Sequence, residues 1–196
     1  MGKYSQSPLK LNIREIALVG LFTATTVVGA YIRIPLWPVP FTLQTLFVLL
    51  SGVILGSKMA ALSQGLYLLL GIIGLPVFAS GGGPGYIFQP TFGYFLGFIV
   101  GAYLIGRLQE RFYYHSVGKI FCSLLAGTLL IYIFGVSYLY LITNFYLGKT
   151  FTLSRTIWWG AIIFIPGDLV KILVAAIISR EMQRRLSLST VFKRKL

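Results

Sequence analysis

Residues 165–171 read IPGDLVK and lie in a run from Ile157 to Ser179 that is otherwise free of charge. One charged side chain at a bilayer centre costs roughly 2.5–3.5 kcal/mol on insertion scales. Asp168 and Lys171 stand three positions apart, which places them on one face of a helix, where they can neutralise each other. The stretch therefore predicts a membrane-spanning helix that carries a compensated pair of charges.

The composition predicts a membrane location for the whole chain. Of its 196 residues, 57% are hydrophobic and 11% are charged, whereas soluble domains average about 25% charged residues. We therefore expect an all-α integral membrane protein with a single domain over residues 1–196. The net charge of +13 does not indicate nucleic-acid binding, because most of the cations flank apolar runs, as in membrane topology signals.

The apolar residues form six continuous segments, so transmembrane helices are favoured over an alternating β-barrel pattern. We predict spans at about 14–34, 42–56, 59–77, 90–107, 118–141 and 157–180. The second is short. The third and fourth are separated by PVFASGGGPGYIFQP, residues 76–90, which is too rich in glycine and proline for a helix.

The distribution of lysine and arginine predicts that both termini face the cytoplasm. With that orientation, thirteen cations lie on the cytoplasmic side, and the outer side keeps Arg33, Lys149 and Arg155. This is a strong positive-inside asymmetry. It places three connections on the outer face, at residues 35–41, 76–90 and roughly 142–156. These connections are either ordinary loops or the mouth and lid of an outward-facing pocket.

The charged pair has two interpretations. Asp168 and Lys171 either form a buried ion pair with a purely structural role or bind a ligand, which is the default for ionisable residues within a membrane. Pro166 fits a kink in a long span or the first turn of a shorter helix. In the second case, Asp168 lies where the helix dipole favours a carboxylate.

Neutral polar residues and aromatic residues accompany the pair near the outer face. Thr42 and Gln44 open the second span, and QPTFGY, residues 89–94, opens the fourth. The nearby aromatic residues are Trp37, Phe41, Phe78, Tyr86 and Tyr94. Such a set suits a small ligand that is part apolar and part polar. Gln64 and Tyr67 in the third span either belong to this site or only form interhelical hydrogen bonds. Trp158 and Trp159 are better explained as part of the aromatic belt at the membrane–water interface than as site residues.

Small residues line one side of the first span. Gly20 and Ala24 stand four apart, as do Thr25 and Gly29, a spacing that lets another helix approach closely. The commoner explanation of this pattern is a contact with another helix of the same chain. The more specific alternative is a docking face for a partner protein.

No catalytic or metal-binding pattern is present in the sequence. The sole histidine, His115, lies in a basic cytoplasmic segment, and no cluster of cysteine and histidine is available for a metal. GAYLIGRL, residues 101–108, has the glycine spacing of a P-loop, but Arg107 and Leu108 stand in place of its lysine and Ser/Thr. If this protein takes part in ATP-driven transport, another chain must therefore bind the ATP.

Four stretches resemble the signature motifs of the BioY family, the biotin-specific S components of energy-coupling-factor (ECF) transporters. They are PVPFTLQTLFVLLSG (38–52), YLLLGIIGLPVFASGGG (67–83), PTFGYFLGF (90–98) and IPGDLVK (165–171), in the family's order. The resemblance covers about Arg14 to Arg180. The fourth-span motif reads QPTFGY where GPTGGY or similar is expected, so Gln89 and Phe92 are predicted to reshape the pocket edge.

The resemblance implies a multi-pass protein of a bacterial plasma membrane, with an outward-facing biotin pocket capped by the outer loops. It implies no enzymatic activity and no cofactor. The implied partners are biotin, the lipid bilayer, a transmembrane coupling (T) subunit and two cytoplasmic ABC-type ATPases. In the family's transport model, the S component topples while bound to the coupling subunit, and Gly20 and Ala24 fit the docking face this requires.

Biotin has a ureido group with two N–H donors and a carbonyl, an apolar thioether ring and an aliphatic chain that ends in a carboxylate. We expect Asp168 to accept from the ureido N–H groups, and Lys171 to pair with Asp168 or donate to a ligand oxygen, although Lys171 could instead bind the carboxylate. The expected ring contacts are Phe41, Phe78, Tyr86 and Tyr94, and the expected neutral hydrogen-bonding groups are Thr42, Gln44, Gln89 and Thr91.

Two other function classes compete with vitamin capture. The first is a membrane enzyme that uses Asp168 and Lys171 as acid and base on a lipid, for which no nucleophile or metal is evident. The second is a purely structural membrane subunit, which leaves the charged pair and the glycine-rich outer loop without a role.

Overall fold

The structure is a computed structural model that describes residues 11–111 and 117–185. It is a helical bundle with one two-stranded hairpin. The helices are α1 (Ile13–Tyr31), α2 (Gln44–Leu55), α3 (Ser57–Ile73), α4 (Phe92–Arg111), α5 (Val117–Leu141), α6 (Leu153–Gly160) and α7 (Ile165–Arg185). The strands are β1 (Arg33–Ile34) and β2 (Phe41–Thr42), and short 3₁₀ turns lie at Pro84–Phe88 and Ile162–Phe164. His115 lies outside the described residues, as do Lys3, Lys10, Lys193, Arg194 and Lys195.

Helix α1 starts at a capping box and ends three residues before the predicted end of the first span. The Asn12 side chain caps the helix, and the Glu15 carboxylate accepts from the Asn12 backbone N–H at 3.0 Å. The span prediction to residue 34 is wrong because Arg33 and Ile34 pair in an antiparallel ladder with Thr42 and Phe41. The residues PLWPVP, 35–40, therefore form the tip of a hairpin that folds back to the start of α2.

Helices α2 and α3 are joined by one glycine. Gly56 has φ 76°, a backbone conformation that favours glycine, and α3 begins directly after it at Ser57. The predicted third span therefore starts two residues too late, and it also runs too far, because α3 ends at Ile73 before Gly74 (φ 120°). The connection that follows was predicted to be non-helical, and it contains the 3₁₀ turn at Pro84–Phe88.

The sixth predicted span consists of two helices. Helix α6 begins at Leu153, capped by Thr152, so the third of the predicted outer connections is shorter than the expected range of roughly 142–156. After the 3₁₀ turn at Ile162–Phe164, α7 begins at Ile165, so Pro166 lies in its first turn. Of the two alternatives for Pro166, the structure shows the first-turn position, where the missing N–H removes no helical hydrogen bond.

The connections gather at two ends of the bundle. At one end, the α2–α3 turn meets the end of α4, where the Ser57 backbone N–H and hydroxyl both donate to the Glu110 carboxylate at 2.8 Å. At the other end, which we call the cavity end, the hairpin contacts both other connections. Arg33 donates to the Ala79 carbonyl, and the Trp37 ring packs edge-on against Phe151 at 5.8 Å.

Within the described residues, four helical segments are long and apolar enough to cross a membrane. They are Ile13–Tyr31, Phe92–Arg111, Val117–Tyr146 and Leu153–Met182. Helices α2 and α3 are apolar but shorter, with 12 and 17 residues.

Candidate functional site

The site is built around Asp168 and Lys171 in the first two turns of α7. Lys171 Nζ donates to Asp168 Oδ1 at 2.7 Å, so the predicted i, i+3 pair is formed. Each residue is only 5% exposed. Asp168 lies in the first helical turn, where the dipole of α7 stabilises a negative charge.

Lys171 is saturated by acceptors of the protein. Its ammonium group donates to the Thr42 carbonyl at 2.6 Å, to Thr45 Oγ1 at 2.9 Å and to Asp168 at 2.7 Å. An ammonium has three N–H donors, and these three acceptors, all within the described part of the chain, match them. Lys171 therefore ties α7 to strand β2 and to the start of α2.

Asp168 accepts hydrogen bonds from two further helices. The Thr45 hydroxyl donates to Oδ1 at 3.2 Å, and the Tyr132 hydroxyl of α5 donates to Oδ2. Burying a carboxylate carries a desolvation penalty, and the attraction of an ion pair alone seldom compensates it. The additional hydrogen bonds to Asp168 help to offset this penalty. The carboxylate is thus fixed in orientation by groups on three helices.

The charged pair faces a cavity of about 60 Å³ between the helices at the cavity end. A single water needs roughly 10–15 Å³ of such space, so the cavity is more than a packing defect. Eight of the predicted site residues line it: Phe41, Thr42, Gln44, Tyr86, Thr91, Tyr94, Asp168 and Lys171. The purely structural interpretation of the pair does not account for this placement beside a cavity.

Two predicted site residues are not among the lining residues. Phe78, 1% exposed, lies behind the wall, where its ring packs at 4.5 Å against both Tyr86 and Phe95. Gln89 is exposed at the end of the 3₁₀ turn, and Phe92 packs against Tyr138 of α5. The motif difference at Gln89 and Phe92 therefore acts on the cavity edge only indirectly.

Phe41 joins the hairpin to α7. Its ring stacks on Phe164 at 6.1 Å, and Lys171 Nζ lies 3.8 Å from the ring centroid, a cation–π contact. The ring lies so close to Gly167 that a Cβ there would collide with it. The glycine of IPGDLVK is thus explained by the aromatic wall of the cavity.

Gln44 belongs to a hydrogen-bonded chain beside the cavity. It accepts from the Thr42 hydroxyl at 3.0 Å and donates to the Tyr67 hydroxyl at 2.6 Å, and Tyr67 donates to the Val77 carbonyl at 3.2 Å. The chain links the hairpin, α2, α3 and the α3–α4 connection. Gln64, by contrast, donates to Ser51 at 3.3 Å inside the bundle, as the interhelical alternative predicts.

The sequence reasoning missed Tyr132, Thr45 and Phe164 as lining residues. The available signal for Thr45 was its place directly after Gln44, which was predicted to line the site. For Tyr132, the available signal was its spacing of four from Thr128, which also lines the cavity, in an otherwise apolar segment. Phe164 offered no signal, because a phenylalanine in an apolar run is ordinary.

The small-residue face of α1 divides into two parts. Gly29 is buried, and a Cβ added there would lie 2.8 Å from Phe47, which is the internal contact that the sequence allows. Gly20 and Ala24 are exposed on the outside of the bundle, and nothing lies within 4 Å of a Cβ added at Gly20. Their docking role stays a prediction.

The fold and the site define a membrane protein with a buried charge pair facing a cavity between its helices. Among the described residues, no group of histidine, cysteine, aspartate or glutamate could hold a metal ion. The model of the BioY family matches residues 4–188, so the chain belongs to the BioY family.

Several named relatives support this assignment. The biotin transporter BioY of Thermotoga maritima is 43% identical over 88% of this chain and 97% of its own length. The biotin transporter BioY of Rhizobium etli is 35% identical over 87% of this chain and 93% of its own length. By these names, the family consists of transporters rather than enzymes, and the chain is a multi-pass membrane protein.

A solved structure shares the fold. The crystal structure of the S-component for biotin from an ECF-type ABC transporter superposes with a TM-score of 0.78, at 24% identity. The match covers 91% of this chain and 95% of the other.

Proposed function

We propose that this chain is the biotin-binding S component of an ECF-type uptake transporter, which captures biotin outside the cell and delivers it inward. The observation that carries the proposal is the buried Asp168–Lys171 pair facing an aromatic cavity, in a chain of the BioY family. The pair has no net charge, so it can present a carboxylate oxygen to a neutral polar group without an uncompensated ion.

The cavity matches the parts of biotin. Asp168 accepts from a ureido N–H group, and the rings of Phe41, Tyr86 and Tyr94 pack against the bicyclic ring. Thr42, Gln44 and Thr91 supply neutral hydrogen bonds. Phe78 supports the rings from behind, and Gln89 acts at the rim.

The proposed topology has six spans with both termini in the cytoplasm, and the cavity end faces outward. Helix α2 has 12 residues and is about 18 Å long, shorter than the ~30 Å hydrocarbon core. In this topology the strand β2 and the cavity occupy the remaining depth above α2. The hairpin and the two other connections at the cavity end form the lid.

The proposed partners are a coupling (T) subunit and two cytoplasmic ABC-type ATPases. The exposed side of α1 at Gly20 and Ala24 allows the backbone of another helix to approach closely, which favours it as the docking face. ATP is bound and hydrolysed by the partners, because the chain itself has no nucleotide-binding pattern.

Biotin binding to the purified chain in lipid nanodiscs tests the proposal, with Asp168→Asn as the variant. Wild type is expected to bind tightly, and Asp168→Asn to lose at least about tenfold in affinity, since a hydrogen bond to a charged group contributes about 1.5–3 kcal/mol. Glu15→Gln is the matched control, because glutamine also completes a capping box. Folded wild-type protein that binds no biotin would overturn the proposal.

A further inference from the structure

Tyr132 is a polar residue of the cavity to which the family resemblance and the proposed function give no role. It lies on α5, its side chain lines the cavity, and its hydroxyl donates to Asp168 Oδ2. No other tyrosine hydroxyl of the described residues donates to the charged pair.

The hydrogen bonds to Asp168 leave one acceptor position beside Tyr132. A carboxylate has about four acceptor positions, two on each oxygen. Oδ1 accepts from Lys171 and Thr45, and Oδ2 accepts only from Tyr132, counting donors in the described part of the chain. The free position therefore lies on Oδ2, next to the Tyr132 hydroxyl.

Lys171 cannot easily supply a donor to a ligand at this point. Its three N–H groups are used by Thr42, Thr45 and Asp168, and giving up one of them would release strand β2 or the start of α2 or break the ion pair. The Tyr132 hydroxyl, by contrast, can turn about its C–O bond, and a ureido N–H that binds Asp168 Oδ2 compensates the carboxylate for the hydrogen bond it loses.

The free acceptor position on Asp168 Oδ2 lies next to the Tyr132 hydroxyl, which can donate. This pair complements a cyclic urea or amide, in which an N–H donor lies beside a carbonyl acceptor. We infer that Tyr132 is a specificity-determining residue that recognises the ureido carbonyl of the ligand by a hydrogen bond. Asp168 Oδ2 accepts the ureido N–H, and the Tyr132 hydroxyl turns from Asp168 to donate to the adjacent carbonyl oxygen. This inference rests on the proposed function, since it assigns a partner to one group of biotin.

A double-mutant cycle between protein and ligand tests the inference. Wild type and Tyr132→Phe are titrated in nanodiscs with biotin and with the analogue in which sulfur replaces the ureido oxygen. Sulfur is the weaker hydrogen-bond acceptor, while both N–H donors are kept. Wild type is expected to prefer biotin by about threefold to tenfold more than Tyr132→Phe does, the range for one neutral hydrogen bond.

Dividing the preference of wild type for biotin over the sulfur analogue by that of Tyr132→Phe removes effects that are not specific to the carbonyl. The larger size of sulfur acts in both proteins, and any loosening of Asp168 in Tyr132→Phe weakens both ligands alike. Tyr140→Phe, on the same helix and outside the cavity lining, is the matched control and should keep the wild-type preference.

Equal preferences in wild type and Tyr132→Phe, with biotin still bound tightly by wild type, would overturn the inference and leave the proposed function intact. Absence of biotin binding by folded wild type would overturn both. If Tyr132→Phe does not fold, Tyr132→Met takes its place in the same cycle, and a preference for biotin equal to that of wild type would overturn the inference.

Discussion

At the scale of single residues, the two buried charges are held by hydrogen bonds from several elements as well as by their mutual attraction. Lys171 has an acceptor for each N–H among the described residues, and Asp168 has donors from α2, α5 and α7. Replacing one member of a buried pair leaves the other uncompensated and costs about 3–5 kcal/mol of stability. The pair is therefore both a structural element and the proposed polar base of the ligand site.

Lys171→Met tests which end of biotin meets the pair. All three N–H groups of Lys171 donate to the protein, so we expect no direct contact between Lys171 and the ligand carboxylate. Because the variant leaves Asp168 without its ion-pair partner, the affinities for biotin and for its carboxamide should fall by the same factor, about tenfold or more. Both affinities are measured by calorimetry in nanodiscs, with Lys58→Met, exposed at the end of the bundle opposite the cavity, as control. A loss confined to biotin would instead indicate that Lys171 binds the ligand carboxylate.

The sequence predicts the charged pair but not its full surroundings. Asp168 and Lys171 are visible because charges are rare in an apolar run, and their spacing fixes their contact within one helix. Tyr132 reaches Asp168 across 36 positions of sequence, so the contact depends on how α5 and α7 are rotated against each other. Single-sequence patterns carry no information on that rotation. Gln89 lies outside the lining for a different reason, because it is exposed at the end of the 3₁₀ turn.

At the scale of elements, the hairpin β1–β2 connects all parts of the proposed lid. Arg33 donates to the Ala79 carbonyl and, at 3.4 Å, to Ser80, and just before the hairpin Tyr31 at the end of α1 donates to the Pro76 carbonyl. On its other side, Trp37 lies between Phe151 and Lys149, whose Nζ is 4.2 Å from the ring centroid. Ala79 also lines the cavity, so opening the hairpin would uncover the site.

Arg33→Gln is expected to speed the release of biotin. Loss of the charged donor weakens the hairpin's hold on the α3–α4 connection, and the dissociation rate should rise about twofold to tenfold. Stopped-flow displacement of labelled biotin by unlabelled biotin measures this rate. Arg14→Gln, an exposed arginine at the opposite end, should leave it unchanged. An unchanged rate in Arg33→Gln would mean that the hairpin does not control release.

The element boundaries were predictable where local chemistry sets them. The Asn12 cap sets the start of α1, which was predicted within one residue. Gly74 and Pro76 set the end of α3 at Ile73, a local signal that the predicted end at residue 77 did not use. The hairpin was not predictable, because its two-residue strands lie in a proline-rich stretch without alternation and depend on packing against Pro76 and Ala79. The break between α6 and α7 was only one of two alternatives for Pro166.

At the scale of the whole molecule, the apolar surface is divided between lipid and a proposed partner. The outward residues of α5 and α7, such as Leu129 and Ile177, are large and suit lipid contact. Helix α1 instead exposes Gly20 and Ala24 together with larger residues such as Leu21. This difference favours α1 as the face on which another helix packs closely.

Ala24→Trp is expected to block assembly without affecting biotin binding. A tryptophan on the exposed side of α1 would hold a partner helix away, whereas the cavity lies on the other side of the bundle wall. Co-purification with the coupling subunit and the ATPases should fall at least about tenfold, and the biotin affinity should stay within about twofold. Leu129→Trp on the exposed side of α5 is the control. Normal assembly of Ala24→Trp would exclude this face as the docking site.

The most direct test of the account is an experimental structure of the chain with biotin bound. The account predicts the ureido ring in the cavity, one N–H within about 2.7–3.2 Å of Asp168 Oδ2, and the carbonyl oxygen within hydrogen-bonding distance of the Tyr132 hydroxyl. Lys171 should keep its bonds to Thr42 and Thr45. Biotin bound with its carboxylate on Lys171, or bound away from this cavity, would contradict the account.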